Sequence, residues 1–311
     1  MRWLDHRETV TQALRGAVIA LGNFDGFHKG HQAVAGEAIR WAHEEGRPSI
    51  IATFDPHPVR FFKPDVPPFR LTTLEQRQEL YLAAGATAML VFHFDGELAG
   101  TTAEDFISKI LIERFGAFGV VTGGDFSFGK GAKGNVELLR DYGGSLGLQS
   151  RVVEAVKDDG VISSSRIREA LRDGDPQLAA ELLTRPFAIR GIVEHGDKNG
   201  RKLGYPTANI AIDTYLRPKY GVYAVTGKVL ATGETYKGAA NIGIRPQFEP
   251  PKELLEPYFF DFSGDLYGQE IEVAFHHFLR GEAKFDSLDD LMAQMEKDCE
   301  DARRLLSALA K

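Results

Sequence analysis

Residues 21–31, Leu21-Gly22-Asn23-Phe24-Asp25-Gly26-Phe27-His28-Lys29-Gly30-His31, place two histidines three apart among three glycines, directly after an apolar run. If that run is a strand and a helix opens at the far end, the segment is a strand-to-helix junction. Backbone N–H groups and the helix dipole both favour a phosphate there. His28 and His31 can direct imidazole donors at the same spot. Such donors suit a reaction in which one phosphate attacks another, where the protein positions the groups and spreads charge on the phosphorus centre. The plain alternative is a tight turn at Gly22, Gly26 and Gly30 followed by solvated histidines.

A second segment, Ile162-Ser163-Ser164-Ser165-Arg166-Ile167-Arg168, offers hydroxyls, backbone donors and two guanidinium ions where another helix should start. That set suits a pyrophosphate, although an N-cap with solvated arginines explains it equally well. A third runs from Gly196 to Asn209, with three glycines, three basic residues and the sequence Pro206-Thr207-Ala208-Asn209. It could close over phosphates, with the Thr207 hydroxyl and the Asn209 amide oxygen as hard ligands for magnesium. On spacing alone, a solvated hairpin loop followed by a strand is the better reading. Gly124–Lys130 fits seven positions of a Walker A loop, but Gly131 stands at the eighth, without a hydroxyl for magnesium, so a P-loop is rejected.

The elements that must position these residues fall into two patterns. Up to residue 183, strand-like runs at Ala17–Leu21, Ser49–Phe54, Ala88–Phe92, Gly119–Gly123 and Gln149–Val156 alternate with helical periodicity at Gln32–Glu45 and Ala103–Arg114. This predicts a Rossmann-like parallel α/β sheet. From 184 to 311 the runs Phe187–His195, Gly221–Thr226, Lys228–Ala231, Tyr236–Ile242, Tyr258–Phe262 and Glu270–Leu279 predict a small antiparallel β-barrel. A closing helix carries Leu288, Leu291, Met295, Cys299, Ala302, Leu306 and Leu309 on one stripe, with Ser287 as N-cap. Cys299 reads as a buried small hydrophobe.

A length of 311 residues favours two domains, divided as 1–183 and 184–311. A net charge of −7 argues against a nucleic-acid partner, which needs a basic face. The start Met1-Arg2-Trp3-Leu4-Asp5-His6-Arg7 lacks a signal peptide's apolar core, and no run is long enough to span a membrane. With a single cysteine, no intrachain disulfide is possible, and a cytoplasmic protein is expected. Homo-oligomerisation is left open.

The first two segments resemble the H-x-G-H and I-S-S-T-x-I-R signatures of the nucleotidyltransferase superfamily, in particular those of bacterial FAD synthetases. Gly124-Asp125-Phe126-Ser127-Phe128-Gly129 is similar to that group's G-x-D-F-x-F-G loop, and Phe54-Asp55-Pro56-His57-Pro58 to its F-x-P-H-P turn. Ser165 stands where the family has Thr and keeps the hydroxyl. Residues 195–209 resemble the riboflavin kinase signature H-G-D-x-x-G-R-x-L-G-[FY]-P-T-A-N. Gly221-Val222-Tyr223, Asn241-Ile242-Gly243, Arg245-Pro246, Asp265-Leu266-Tyr267-Gly268 and Leu279-Arg280 follow in that family's order.

The resemblance implies a bifunctional enzyme whose substrates are riboflavin, FMN and ATP with Mg2+, giving FMN as intermediate and FAD as product. It places ATP at Gly22, Asn23, Phe24, Asp25, Gly26, Ser163, Ser164, Ser165 and Arg166, with His28, His31 and Arg168 catalytic. Flavin would lie at Asp125, Phe126 and Phe128. In the kinase half it implies ATP at Gly196, Lys202, Gly204, Pro206 and Asn209, and magnesium at Thr207 and Asn209. Glu256 would be the general base on the ribityl hydroxyl.

The chain departs from the kinase pattern at Ile244, Gln247 and Pro257. Pro257 suits an edge strand and leaves Glu256 and Glu253 in an unusual loop. Two rival readings are another nucleotidyltransferase with an unrelated barrel, and a non-catalytic flavin-binding protein.

Overall fold

A computed structural model describes residues 2–8, 10–194, 205, 207–245 and 252–310. Two compact units emerge, one of Met1–Pro67 with Thr73–Ser163 and the other of Pro68–Thr72 with Ser164–Lys311. The division thus falls about twenty residues before 183/184, the boundary read from the sequence.

In the first unit the strands are β1 (Arg2–Asp5), β2 (Val18–Leu21), β3 (Ser49–Asp55), β4 (Ala88–His93), β5 (Gly119–Gly123) and β6 (Gln149–Val153). The helices are α1 (Lys29–Glu44), α2 (Pro58–Phe62), α3 (Leu74–Ala83), α4 (Gly96–Gly100), α5 (Ala103–Asp105) and α6 (Val136–Ser145). The strands form one sheet in the order β1-β4-β3-β2-β5-β6, with every pair parallel. Crossover helices cover both faces, so the central strands are apolar throughout, not alternating. Val18, Ile19, Ala20 and Leu21 are at most 1% exposed. Ile19, Leu21, Ile50, Leu90, Phe92 and Val120 pack into one core; Val18, Ala20, Ile51, Met89 and Val121 join Trp41 and Tyr81 in the other.

Several boundaries differ from the sequence reading. β1 was not expected: it is four residues long and pairs only at the sheet edge, beside β4. α1 starts three residues earlier than its apolar periodicity suggests, because His28 caps it. α5 winds directly into a π-helical segment, Phe106–Arg114. β6 stops at Val153, short of the expected Val156.

In the second unit α7 (Ser164–Asp173) and α8 (Pro176–Leu183) precede the barrel strands β7 (Phe187–Glu194), β8 (Asn209–Ala211), β9 (Gly221–Val229), β10 (Thr235–Arg245), β11 (Lys252–Phe259) and β12 (Glu270–Arg280). These close in the order β10-β11-β8-β7-β12-β9, and α9 (Leu288–Ser307) follows. α8 packs on β7 and β12, and α9 on β9, β10 and β12.

The two runs expected at Gly221–Thr226 and Lys228–Ala231 are one strand, β9. Gly227 does not break it: the Phe259 ring occupies the space a side chain there would need. The expected strand Tyr258–Phe262 is corrected to β11, which ends at Phe259. β11 is no edge strand, since it pairs with β10 and β8 on its two sides. Pro257 sits within it opposite Ala240, and its carbonyl accepts from the Ala208 N–H at 2.9 Å. Cys299 is half-buried, and burial pushes its thiol up to about 11. The ends of the α9 stripe, Leu288 at 55% and Leu309 at 49%, are exposed.

Candidate functional site

In the first unit the chain leaves β2 toward β3 on one side, and β5 flanks β2 on the other. This reversal of strand order makes a crevice at the carboxyl ends of the strands, the usual ligand position in open α/β sheets. Three loops converge there: residues 22–28 after β2, residues 56–57 after β3 and residues 124–129 after β5. Gly22–Gly26, His28, His31, Asp125, Phe126 and Phe128 are therefore brought to one edge of one sheet.

The loop after β2 is tightly specified. Phe24, Gly26 and Phe27 take left-handed φ values of 47°, 86° and 45°. The two phenylalanines are at most 3% exposed and meet Tyr81 with ring centroids 6.3 and 4.9 Å apart. Burying them stabilises a turn that only glycine adopts without cost. Asp25 is 2% exposed and its carboxylate accepts from Arg77 Nη2 at 3.0 Å. Arg77 also donates to Thr53 Oγ1 at 3.0 Å and to the Asn23 carbonyl at 3.3 Å, and Thr53 donates to that carbonyl at 2.6 Å. The Asp25 side chain thus enters an internal ion pair that shapes the loop. Sequence reasoning missed Arg77; the one signal was a cation four residues before Tyr81 on the inward face of α3.

His28 is 4% exposed and caps α1, its Nδ1 accepting from the His31 N–H at 3.4 Å. In the neutral ring that bond places the proton on Nε2 and makes it a donor. His31 stacks on His28 with centroids 3.6 Å apart. A Cβ on Gly30 would lie 3.1 Å from His28 Cε1 and 3.5 Å from the Ile162 carbonyl, so glycine lets both approach the helix start. Ile162, and with it Ser163, thereby belongs to the same neighbourhood.

Of the expected flavin residues, Asp125 is exposed and Phe126 half-buried, while Phe128 is a core residue, 6% exposed and packed on Phe106 with centroids 5.4 Å apart. Phe126 lies nearly parallel to Phe128, at 5.7 Å and 19°. The sequence reading missed an open aromatic cluster on α2, Phe61 at 37% and Phe62 at 63% exposed, both edge-on to Phe94. Its signal is adjacent phenylalanines just after the Phe54–Pro58 turn. Lys130–Ala132 makes one short turn and the next helix waits until Val136, so no P-loop forms there.

Ser164, Ser165, Arg166 and Arg168 stand on the first turns of α7, in the second unit. Arg168 donates to the Phe69 carbonyl at 2.9 Å and lies 5.0 Å over the Phe69 ring.

On the barrel, register decides which residues meet. Asn241 lies opposite Glu256, and Leu254 opposite Ala211. Continuing the second pairing along both strands, in line with the bond from Ala208 to Pro257, sets Asn209 beside Glu256 and Thr207 beside Tyr258. Thr207, Asn209, Asn241 and Glu256 therefore share one face, whose residues Val222, Ala239 and Tyr258 pack under α9 with Ala302 and Leu306. Glu256 belongs to a strand, not a loop, and is ion-paired with Arg245.

Glu253 points to the other face. Arg217 donates to it at 2.7 and 2.9 Å and the Tyr220 hydroxyl also donates to it. Those bonds, Arg217's first, hold the Glu253 carboxyl below the ordinary range, and burial with that carboxylate pushes Tyr220 up to about 12. Gly196, Lys202, Gly204 and Pro206 lie outside the described residues. Among the described residues no group of three or more His, Cys, Asp or Glu could hold a metal.

Comparison with known proteins bears on both units. The FAD synthetase family model matches residues 10–166 and the riboflavin kinase family model residues 183–306. A bifunctional riboflavin kinase/FMN adenylyltransferase of Escherichia coli (strain K12) is 39% identical over 289 residues, 91% of this chain and 90% of the relative. One from Bacillus subtilis (strain 168) is 39% identical over 301 residues, 95% and 94% of the two chains. A crystal structure described as a macrolide-efflux protein from Streptococcus pneumoniae matches with a TM-score of 0.87 at 31% identity, covering 97% of this chain and 99% of that one. Among the described residues no helix of the present chain is long and apolar enough to cross a membrane.

Proposed function

The chain belongs to the bifunctional riboflavin kinase/FMN adenylyltransferase family, and on that premise we propose how its residues divide the two reactions. It is a transferase of flavin cofactor synthesis: riboflavin is phosphorylated to FMN, and FMN is adenylylated to FAD. Adenylyl transfer is assigned to residues 1–183 and the kinase to 184–311, a division supported by the spans of the two family matches.

In adenylyl transfer an FMN phosphate oxygen attacks the α-phosphorus of ATP, and the bond to the β-phosphate breaks to release pyrophosphate. His28 Nε2–H would donate to an α-phosphate oxygen, with His31 stacked beside it. Backbone groups of Gly22, Asn23, Phe24, Asp25 and Gly26 would hold the nucleotide, and Ser163, Ser164, Ser165, Arg166 and Arg168 are assigned to it on the family resemblance alone. The flavin ring would lie near Asp125 and Phe126, with Phe61 and Phe62 as further stacking surfaces and Phe128 supporting Phe126 from the core.

In the kinase, the terminal ribityl hydroxyl attacks the γ-phosphorus, ADP leaves, and Glu256 takes the hydroxyl proton. Thr207 and Asn209 are half-buried and offer a hydroxyl and an amide oxygen on the Glu256 face. That donor set fits a magnesium ion shared with nucleotide phosphates, whose charge it would offset. Gly196, Lys202, Gly204 and Pro206 are assigned to the ATP of this site on the family resemblance. The cytoplasm is the expected location and small molecules the expected partners.

The observation that carries this reading is the convergence of the β2, β3 and β5 loops on His28 in one unit, and of Thr207, Asn209 and Glu256 on one barrel face in the other. Riboflavin, ATP and magnesium mixed with the chain should give FMN and ADP first, then FAD and pyrophosphate. Conversion of added FMN but not of riboflavin would exclude the kinase assignment.

A further inference from the structure

Glu256 is held in an ion pair by an arginine of the neighbouring strand, Arg245. Arg245, Gly243 and Asn241 alternate onto the same face of β10 that presents Glu256 across the ladder. Arg245 reaches back past Gly243 to Glu256, and the ion pair engages Oε2, with side chains 26% and 17% exposed. Gly243 makes room for a third member: the Glu282 carboxylate sits where a Cβ at 243 would be. Glu282 also favours the charged form of Arg245, which burial otherwise weakens. Carboxylate, guanidinium and carboxylate therefore lie in series, ending at the proposed base.

We propose that Arg245 is the positioning residue of the kinase base, with Glu282 fixing Arg245 from behind. The inference rests on the assignment of Glu256 as that base. A glutamate has three rotatable bonds, and a base must sit within hydrogen-bond reach of the proton it takes. Engaging Oε2 fixes the rotation of the carboxylate and turns Oε1 toward the ribityl hydroxyl. A base oriented by a third group is a recurring arrangement in nucleophilic catalysis. The guanidinium also offsets repulsion between Glu256 and the incoming ATP phosphates. As the hydroxyl oxygen bonds to the γ-phosphorus and ADP departs, the proton passes to Oε1 and is then lost to water.

The test is a double-mutant cycle on kinase turnover in the full chain, with FMN adenylylation as the control for folding. Arg245→Met should lower kinase kcat about 10–100-fold with KM for riboflavin and ATP within about threefold, because misplacement of a catalytic group costs that order. Arg245→Lys, which keeps the charge, should recover a substantial part of the loss. Placed in a Glu256→Gln chain, Arg245→Met should change the residual kcat by less than about threefold, since its effect runs through the missing carboxylate. Equal losses in both backgrounds, or a rise in KM for ATP at unchanged kcat, would overturn the inference while leaving the base assignment standing. Near-normal turnover of Glu256→Gln would overturn the base assignment, and the positioning role with it.

Discussion

Arg77→Met should cost the first unit about 3–5 kcal/mol, the penalty for leaving a buried carboxylate without its partner. The figure follows from the geometry: Arg77 and Asp25 are each 2% exposed and bonded at 3.0 Å. The other acceptors of Arg77 add little to it, because Thr53 Oγ1 still donates to the Asn23 carbonyl at 2.6 Å after the guanidinium is gone. Such a loss is a large part of a typical domain's stability of roughly 5–15 kcal/mol. Both tryptophans, Trp3 and Trp41, lie in the first unit. Urea unfolding followed by tryptophan fluorescence therefore reports on that unit, and its midpoint should fall by on the order of 1–3 M. FAD formation should drop as the loop of Asn23–Gly26 loses its register, while FMN formation from riboflavin persists below the transition. Removing both charges, Asp25→Leu with Arg77→Met, should cost less than Arg77→Met alone. A loss below about 1 kcal/mol for the single change would refute the claim that an uncompensated buried charge shapes this loop.

Other expectations concern the barrel. Glu253→Gln should destabilise by about 1.5–3 kcal/mol through loss of charge-assisted bonds to Arg217 and Tyr220, as read by thermal unfolding, with kinase kcat little changed; a collapse of kcat at intact stability would move the base to Glu253. Burial pushes His276 down to about 4 from an ordinary 6.5. The unfolded chain therefore takes up the proton first, so this contribution to stability is complete above about pH 6.5 and is lost as pH falls through about 4. In calorimetry across that window His276→Gln should flatten the decline, and an unchanged slope would assign it to other groups. Thr207→Ala should raise the magnesium concentration for half-maximal kinase rate, and an unchanged dependence would make its hydroxyl a structural group at the start of β8.

The parts of the fold that were legible in the sequence are those whose burial is uniform. The runs in β2, β3, β4 and β5 are apolar on both faces because helices cover both, and such runs announce themselves. β11 was obscured because its partners lie on β8 and β10, far along the chain, and because Pro257 reads locally as an interruption. Only the ladder shows that the proline fits inside a strand. The same ladder sets Glu256 apart from Glu253, since residues three apart on a strand face opposite ways. The place of His28 ahead of a helix was legible because it follows from residue order. The commitment of Asp25 to Arg77, by contrast, depends on a contact between residues 52 positions apart. Phe61 and Phe62 look like core residues in composition, and their exposure became visible only with the fold.

On the proposed division of labour, two phosphoryl chemistries occupy separate sites, one around His28 and the other around Glu256. Complementation in trans separates them. His28→Ala should make FMN but lose FAD formation by about 10²–10³-fold, as loss of a transition-state donor does. Glu256→Gln should convert added FMN to FAD but form FMN from riboflavin about 10²–10⁴-fold more slowly. Given riboflavin, ATP and magnesium, neither variant alone should accumulate FAD at the unmodified rate. Mixed in one vessel, the two should restore it, because FMN released by one is adenylylated by the other. Loss of both activities in either folded variant, or no recovery on mixing, would contradict the two-site account.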